Sequence, residues 1–486
     1  MKFLTTLLVS ITVLASTVSA RETPPMTGPR AEEYRSGAVH MRLMSLKRST
    51  YSRNRDSGLY RNSQKWKPIK TLAKCKNGVA TTPNGDTFGC KNIDLVYFAS
   101  HADLGSATGE GSSMWGWTAP DGREFAAIGQ ADGAAFVEVD RKTGALVYLG
   151  RLPQPSGVEP EIWREIRMMK NYAVIGSEAG GHGIQIFDMQ KNVSILSKLP
   201  FFKPKVFDPE TDVTGHYKGL PTGATHNIVT NPDRVYAVAV GARPRNSTCA
   251  AGLIFIDLKN PSKPTSPGCN AADGYVHDAQ CLPYRGPDRR YHGRDICYGY
   301  NENSLTIYDV TDRTNSSIIS ITSYEGAAYT HQGSVLDKNW QDFLIMDDEY
   351  DEYDGTGLAK DGFPVSYIWD IQDLQKPKQT GYFKSSVRGV DHNQYVNGDF
   401  VYQSNYGAGL RILDVSTVKR DPTGKGIREV GYFDIYPEDD AEVGGGVIDF
   451  VGSWSSYGLF KSGWILINTI ERGVYSVRYT GEMKYE

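Results

Sequence analysis

One phrase recurs along the chain and constrains its fold more than any other feature. It is a short apolar or alternating run closed by aspartate. The copies are Ala135-Phe136-Val137-Glu138-Val139-Asp140, Ile184-Gln185-Ile186-Phe187-Asp188, Leu253-Ile254-Phe255-Ile256-Asp257, Leu305-Thr306-Ile307-Tyr308-Asp309, Tyr367-Ile368-Trp369-Asp370 and Leu410-Arg411-Ile412-Leu413-Asp414. A seventh, Gly473-Val474-Tyr475-Ser476-Val477-Arg478, has Arg where the others have Asp. The closing aspartates lie 44 to 69 residues apart. A period of about 40–50 residues, stretched by inserted loops, belongs to propeller blades and not to helical solenoids. Each run suits a strand buried between neighbouring sheets.

A further strand follows most copies, such as Leu146-Val147-Tyr148-Leu149 or Gln379-Thr380-Gly381-Tyr382-Phe383. The seventh copy has none after it, and Ile93-Asp94-Leu95-Val96-Tyr97-Phe98 supplies one at the other end. The sequence therefore predicts an all-β, seven-bladed β-propeller over residues 75–486. Its ring is closed by an N-terminal strand, about residues 93–98, which completes the last blade and removes exposed sheet edges. The length of 486 residues fits such a repeat array better than one ordinary domain core. The recurring Asp sits where the third strand turns, so it is expected to accept backbone N–H bonds in Asx-turns and not to do chemistry.

The flanks point to export. Lys2, the apolar run Leu7 to Leu14 and Val18-Ser19-Ala20 read as a signal peptide over residues 1–20. No later run is long enough to span a membrane. Residues 21–74 form a basic arm without strand alternation, read as lying on the domain surface, with a dibasic pair at Lys47-Arg48 where a processing protease would cut. The six cysteines fall into neighbouring pairs, Cys75 with Cys90, Cys249 with Cys269 and Cys281 with Cys297, expected as local disulfides. Asn192, Asn246 and Asn315 open glycosylation sequons. A net charge of −3 gives no sign of a nucleic-acid binder. The chain reads as a secreted, extracellular monomer.

Chemistry-bearing residues cluster at one place in the repeat. First strands open with Thr225-His226-Asn227, Val276-His277-Asp278, Thr330-His331-Gln332 and Asp391-His392-Asn393, and an earlier unit has Trp163-Arg164-Glu165 there. The first strand of a propeller blade lines the central channel. Second strands run antiparallel and return to the same face, ending in Ser177-Glu178, Asn301-Glu302, Asp347-Asp348-Glu349 and Ser404-Asn405. The expected channel-mouth site is thus His226, His277, Asp278, His331, His392, Glu178, Glu302 and Arg164, with His182 nearby. Imidazole with carboxylate suits a divalent metal such as zinc or manganese, with His226, His277, His331 and His392 as ligands. It suits general acid–base work equally well, and a purely structural ring of histidines is the competing reading. The acidic run from Asp347 to Asp354 is read as a solvated loop, or as a calcium site built on Asp347, Asp348 and Glu349. No G-x-S-x-G elbow, H-E-x-x-H pair, P-loop or dinucleotide fingerprint is present.

His277-Asp278-Ala279-Gln280-Cys281, Gly293-Arg294-Asp295-Ile296-Cys297, Asn301-Glu302-Asn303, Thr330-His331-Gln332-Gly333, Asp347-Asp348-Glu349, Asp391-His392-Asn393 and Gly89-Cys90-Lys91-Asn92-Ile93-Asp94-Leu95 resemble the choice-of-anchor B family of extracellular proteins, whose members carry LVIVD-type repeats. The resemblance runs from about Phe88 to Tyr479. It implies a secreted or surface-displayed propeller, and carries over no reaction and no catalytic residue. The function expected is a binding or interaction protein with a glycan or protein ligand at a His/acid-lined mouth. The alternative is an extracellular polysaccharide lyase or hydrolase, with a channel His or a bound metal at work and Arg164 or Arg294 meeting an anionic group.

Overall fold

The computed structural model describes residues 22–481, so the expected signal peptide lies outside the described residues. The described residues are mostly strands, arranged as a β-propeller. The body of each sheet is an antiparallel meander, and the short strands Glu22–Thr23 and Lys205–Val206 add in parallel at the outer edges of two of them. One sheet comprises Gly111–Thr118, Glu124–Gln130, Gly133–Val139 and Leu146–Pro153. The next has Arg164–Met169, Tyr172–Ser177, Ile184–Asp188 and Gly215–Tyr217. Then come sheets led by Asn227–Asn231, Asp278–Pro283, Thr330–Val335 and Gln394–Asn397. In the last, Ser453–Tyr457, Trp464–Thr469 and Gly473–Tyr479 are joined by Ile93–Ser100, antiparallel to Gly473–Tyr479. The strand expected at 93–98 thus sits where strand counting put it. The leading strands neighbour one another in turn, and Ser453–Tyr457 returns to Gly111–Thr118.

Every closing phrase is a third strand, and its apolar side chains fill the space between sheets. Phe136 stacks on Phe187 with ring centroids 4.8 Å apart, and Phe207 meets Phe187 edge-on. All three are buried. The closing aspartates make the expected turns. Asp140 accepts the backbone N–H groups of Lys142 and Thr143, Asp257 that of Lys259, Asp309 that of Thr311, Asp370 that of Gln372 and Asp414 that of Ser416.

The three disulfides join the predicted partners. Cys75–Cys90 fastens the small hairpin of Val79–Thr81 and Thr87–Lys91, which pairs with Arg428–Phe433 and covers that sheet's outer edge. Cys281 and Cys297 face each other across adjacent strands. Among the described residues no helix is long and apolar enough to cross a membrane.

The basic arm lies against the propeller, and it is helical. It folds into α1 (Gly28–Ser36) and α2 (Ala38–Asp56), hinged at Gly37. Gly37 has φ +77°, a left-handed conformation that favours glycine, and the Arg245 side chain packs close to it. The buried face of α2 is Val39, His40, Leu43, Met44, Lys47, Thr50 and Tyr51. Those positions keep helical spacing, but three of the seven are polar, so the stripe is hidden in a hydropathy pattern.

Candidate metal centre

The histidines lie where the topology brings strand starts and strand ends together. His226 and His277 immediately precede the first strands Asn227–Asn231 and Asp278–Pro283. His331 is the second residue of Thr330–Val335, and His392 lies two residues ahead of Gln394–Asn397. Their rings form an arc, with successive centroids 4.3, 4.3 and 4.6 Å apart. Glu349 follows directly on the second strand Phe343–Asp348 and projects into this arc.

All four imidazoles use the same nitrogen outward. Nδ1 of His226 lies 2.6 Å from Glu178 Oε1, and that of His277 lies 2.8 Å from the His331 carbonyl. Nδ1 of His331 lies 3.0 Å from Asp347 Oδ1, and that of His392 lies 2.7 Å from the Trp454 carbonyl. Carbonyl and carboxylate oxygens accept, so Nδ1 carries the hydrogen and Nε2 of a neutral ring is left as a lone pair. Those Nε2 atoms turn inward. His226 Nε2 and His277 Nε2 are 2.7 Å apart, His331 Nε2 is 3.8 Å from Glu349 Oε2, and His392 Nε2 is 3.5 Å from Glu349 Oε1. Ligand atoms of His277, His331 and Glu349 lie within 4.8 Å of one another. An outward Nδ1–H held by an oxygen is how metal-ligating histidines are oriented.

The site is buried and tight. Glu349 is fully buried and the four histidines are at most 6 % exposed. The enclosed space is about 10 Å³, room for roughly one small species. Burial, with the neighbouring imidazoles and Lys47, pushes His277 and His331 well below the usual histidine range. Burial lowers His392 to about 4. At neutral pH these rings are uncharged, the form that binds metals. Glu349 Oε1 accepts from Tyr406 Oη at 2.6 Å, whereas the buried Oε2 has no hydrogen-bond donor. Into this ring comes one residue of α2: Lys47 Nζ, 2 % exposed, lies 2.5 Å from Glu349 Oε1.

The other expected site residues take different stations. Glu178 orients His226 and also meets Arg243 at 3.1 Å. Glu302 is held by Arg245 at the rim, away from the Nε2 atoms. Asp278 points into the channel toward Arg167, 3.9 Å away, and burial pushes it up to about 7. Arg167 there lies between the rings of Trp115 and Tyr395 and pairs with Glu165. Arg164 is turned onto the carbonyls of Gln130 and Ala131 and onto His182 Nε2, so both Arg164 and His182 are spent on each other. Arg294 pairs with Asp309 and is half-exposed outside the mouth.

The acidic run is not a solvated loop, since Asp347, Asp348, Glu349, Asp351 and Glu352 are all buried. Nor do Asp347, Asp348 and Glu349 converge on one point as a calcium set would. The Asp348 carboxylate accepts from Tyr324 Oη and from the N–H groups of Ala328, Tyr329 and Tyr350. Asp347 accepts from His331, from Gln332 N–H and from Gln394. Asp347 and Glu349, two residues apart, lie toward the histidines, Asp347 on His331 Nδ1 and Glu349 beside the Nε2 atoms of His331 and His392, while Asp348 between them turns the other way. Sequence reasoning missed Lys47, Tyr406 and Trp454. The sole signal for Lys47 was its place in the helical stripe of α2.

The fold and this site define a β-propeller with a histidine–carboxylate centre. No family model and no curated protein matches the chain. Among solved structures, it is similar to a functionally unknown protein from Desulfotomaculum acetoxidans at 9 % identity, covering 68 % of this chain and 92 % of that one, with TM-score 0.45. It is similar also to the Cps50 (Swd1) β-propeller domain of Myceliophteria thermophila, at 12 % identity, 76 % and 95 % coverage and TM-score 0.45. The computationally designed Ika8 protein gives 10 % identity, 85 % and 96 % coverage and TM-score 0.44. Likenesses of this size carry no functional argument.

Proposed function

We propose that this chain is a secreted, seven-bladed β-propeller binding protein whose mouth holds a divalent transition metal. His277, His331 and Glu349 are the ligands, and His226 and His392 flank them. The observation that carries the reading is the common orientation of the four rings, each with Nδ1–H tied outward and Nε2 left for the centre. Two imidazole nitrogens with one carboxylate, flanked by two further imidazoles, suit zinc or manganese, and His331–Asp347 supplies a carboxylate–histidine pair that fixes such a ligand. Each sheet counts as one blade, with Ile93–Ser100 completing the last. Membership of the choice-of-anchor B family rests on the sequence motifs alone. Three disulfides are compatible with an oxidising, extracellular setting. Asn246 and Asn315 are exposed and open to glycosylation, whereas Asn192 is partly buried and bonds the Asp212 carbonyl. A glycan or a protein is the ligand class that the rim would present to the metal.

The test is the metal content of the secreted protein by mass spectrometry, beside a His277→Ala/His331→Ala variant. A stoichiometric transition metal that the variant loses is the expected result. Metal absent from both proteins, also after incubation with zinc or manganese, refutes the reading.

A further inference from the structure

We infer that the helical arm is an intramolecular plug of the histidine centre, in which the Lys47 ammonium takes the place of the metal cation. The inference rests on the metal reading above and adds its regulation. Lys47 Nζ lies 2.5 Å from the carboxylate that would ligate the metal, and its side chain lines the same small space as His226, His277, His331 and His392. The about 10 Å³ left free with Lys47 in place is bounded by the ammonium itself, so a divalent ion there would lie against a like charge in a buried site, where repulsion is little screened. The two cations serve one demand, since Glu349 is fully buried and needs a positive partner. Occupation by metal therefore requires that Lys47, and with it α2, move out.

The arm is held by an apolar face, with Val39, Leu43 and Tyr51 buried among Trp163, Tyr406 and Trp454, and by a charged edge that salt can loosen. Arg30 meets Asp354 at 2.8 Å, Arg53 meets Asp449 at 2.8 Å, and Arg55 meets Glu110 at 2.7 Å. Arg48 stacks over Trp163 and approaches Glu178 at 3.9 Å. A basic arm thus lies on an acidic rim through partly exposed pairs, which salt screens and which are individually weak. Lys47-Arg48, the dibasic pair, sits inside α2 with Lys47 buried. A processing protease reaches it only once the helix has lifted, so the same motion that opens the centre exposes the cut.

The experiment is zinc binding by full-length secreted wild type, Lys47→Met and Lys47→Met/His331→Ala, in competition with a chromophoric chelator. Lys47→Met is expected to bind zinc at least tenfold more tightly than wild type, and the added His331→Ala to abolish that gain. Equal zinc affinity of wild type and Lys47→Met, both sensitive to His331→Ala, overturns the plug and leaves the metal centre standing. A gain in Lys47→Met that His331→Ala leaves untouched, or no binding by any of the three, overturns both. Hydrogen exchange on the wild type provides a second arm that needs no variant to fold. Saturating zinc is expected to speed exchange of the α2 amides at least tenfold, and unchanged exchange with zinc bound overturns the plug.

Discussion

The pair Lys47–Glu349 gives the most stringent check on the physics of the centre. Its partners are 2 % and 0 % exposed at the side chain and 2.5 Å apart. With an effective dielectric of about 20, charges at that distance attract by roughly 6–7 kcal/mol, and the cost of drying both ions offsets much of this. Removing one partner is a different matter, because it strands the other. In Lys47→Met, Glu349 keeps the Tyr406 hydroxyl on Oε1 and has no donor on Oε2. The expected loss is about 3–5 kcal/mol. Glu349→Gln strands the ammonium among neutral imidazoles and is expected to cost a similar amount. The double variant strands neither, so it should be much less unstable than the sum of the two, with a coupling of at least ~2 kcal/mol. The assay is urea unfolding of the four proteins with a chelator present, followed by tryptophan fluorescence, since Trp163 and Trp454 line the centre. A Lys47→Met loss below about 0.5 kcal/mol, or strict additivity in the double variant, would refute the buried pair as drawn.

Three further outcomes follow from the fold. Phe136→Ala, within the ring stack with Phe187 and Phe207, should cost about 3–5 kcal/mol, and Phe136→Leu clearly less, by denaturant titration. Replacing both Cys75 and Cys90 by Ser opens a closure of 15 residues and should cost about 3 kcal/mol, with early proteolytic cleavage near residues 75–91; resistance equal to wild type would mean the edge hairpin needs no fastening. Burial raises Glu471 to about 8, so the folded chain holds a proton that the unfolded chain releases near pH 4. Its contribution is present at low pH and is lost as pH rises from about 4.5 to 8. Glu471→Gln should therefore flatten the pH dependence in that window by up to ~1.4 kcal/mol per pH unit, and an unaltered slope in pH-dependent melting would show the carboxyl to be ionised in the fold.

The propeller was legible because its signal is repeated. A single run such as Leu305–Asp309 would fit many folds, but the same run closed by the same turn residue fixes a period, and the strand missing after Gly473–Tyr479 pointed to Ile93–Ser100. The mouth was legible in part for a related reason. Strand starts and second-strand ends must share a face, so His226, His277, His331, His392 and Glu349 could be grouped without coordinates. Which carboxylate faces inward could not be read in this way. Asp347, Asp348 and Glu349 are consecutive, and their different stations depend on donors such as Tyr324, Gln394 and Tyr406 from elsewhere in the chain. The helices of the arm and their buried partners were not legible. A helix whose buried face contains His40, Lys47 and Thr50 is stabilised by specific partners, namely Tyr329, Glu349 and Asp449, and a hydropathy pattern cannot display partners.

A purely structural account of the histidines explains only half of each ring. Bracing is done by Nδ1, which ties His226, His277, His331 and His392 to Glu178, the His331 carbonyl, Asp347 and the Trp454 carbonyl. For that purpose the inner half of the ring could be any apolar group of like size, and burying Nε2 would be a cost without return. Instead the inner atoms meet few donors: Nε2 of His331 and His392 face the two oxygens of Glu349, and Nε2 of His277 has only His226 Nε2 beside it, 2.7 Å away. One ammonium with three hydrogens, already committed to Glu349 Oε1, leaves acceptors in excess. Protons on the rings would relieve this, but burial drives His277, His331 and His392 toward the neutral form. A cation able to take several lone pairs at once satisfies the whole set. That is the physical reason to regard Lys47 as the occupant of a site shaped for something else.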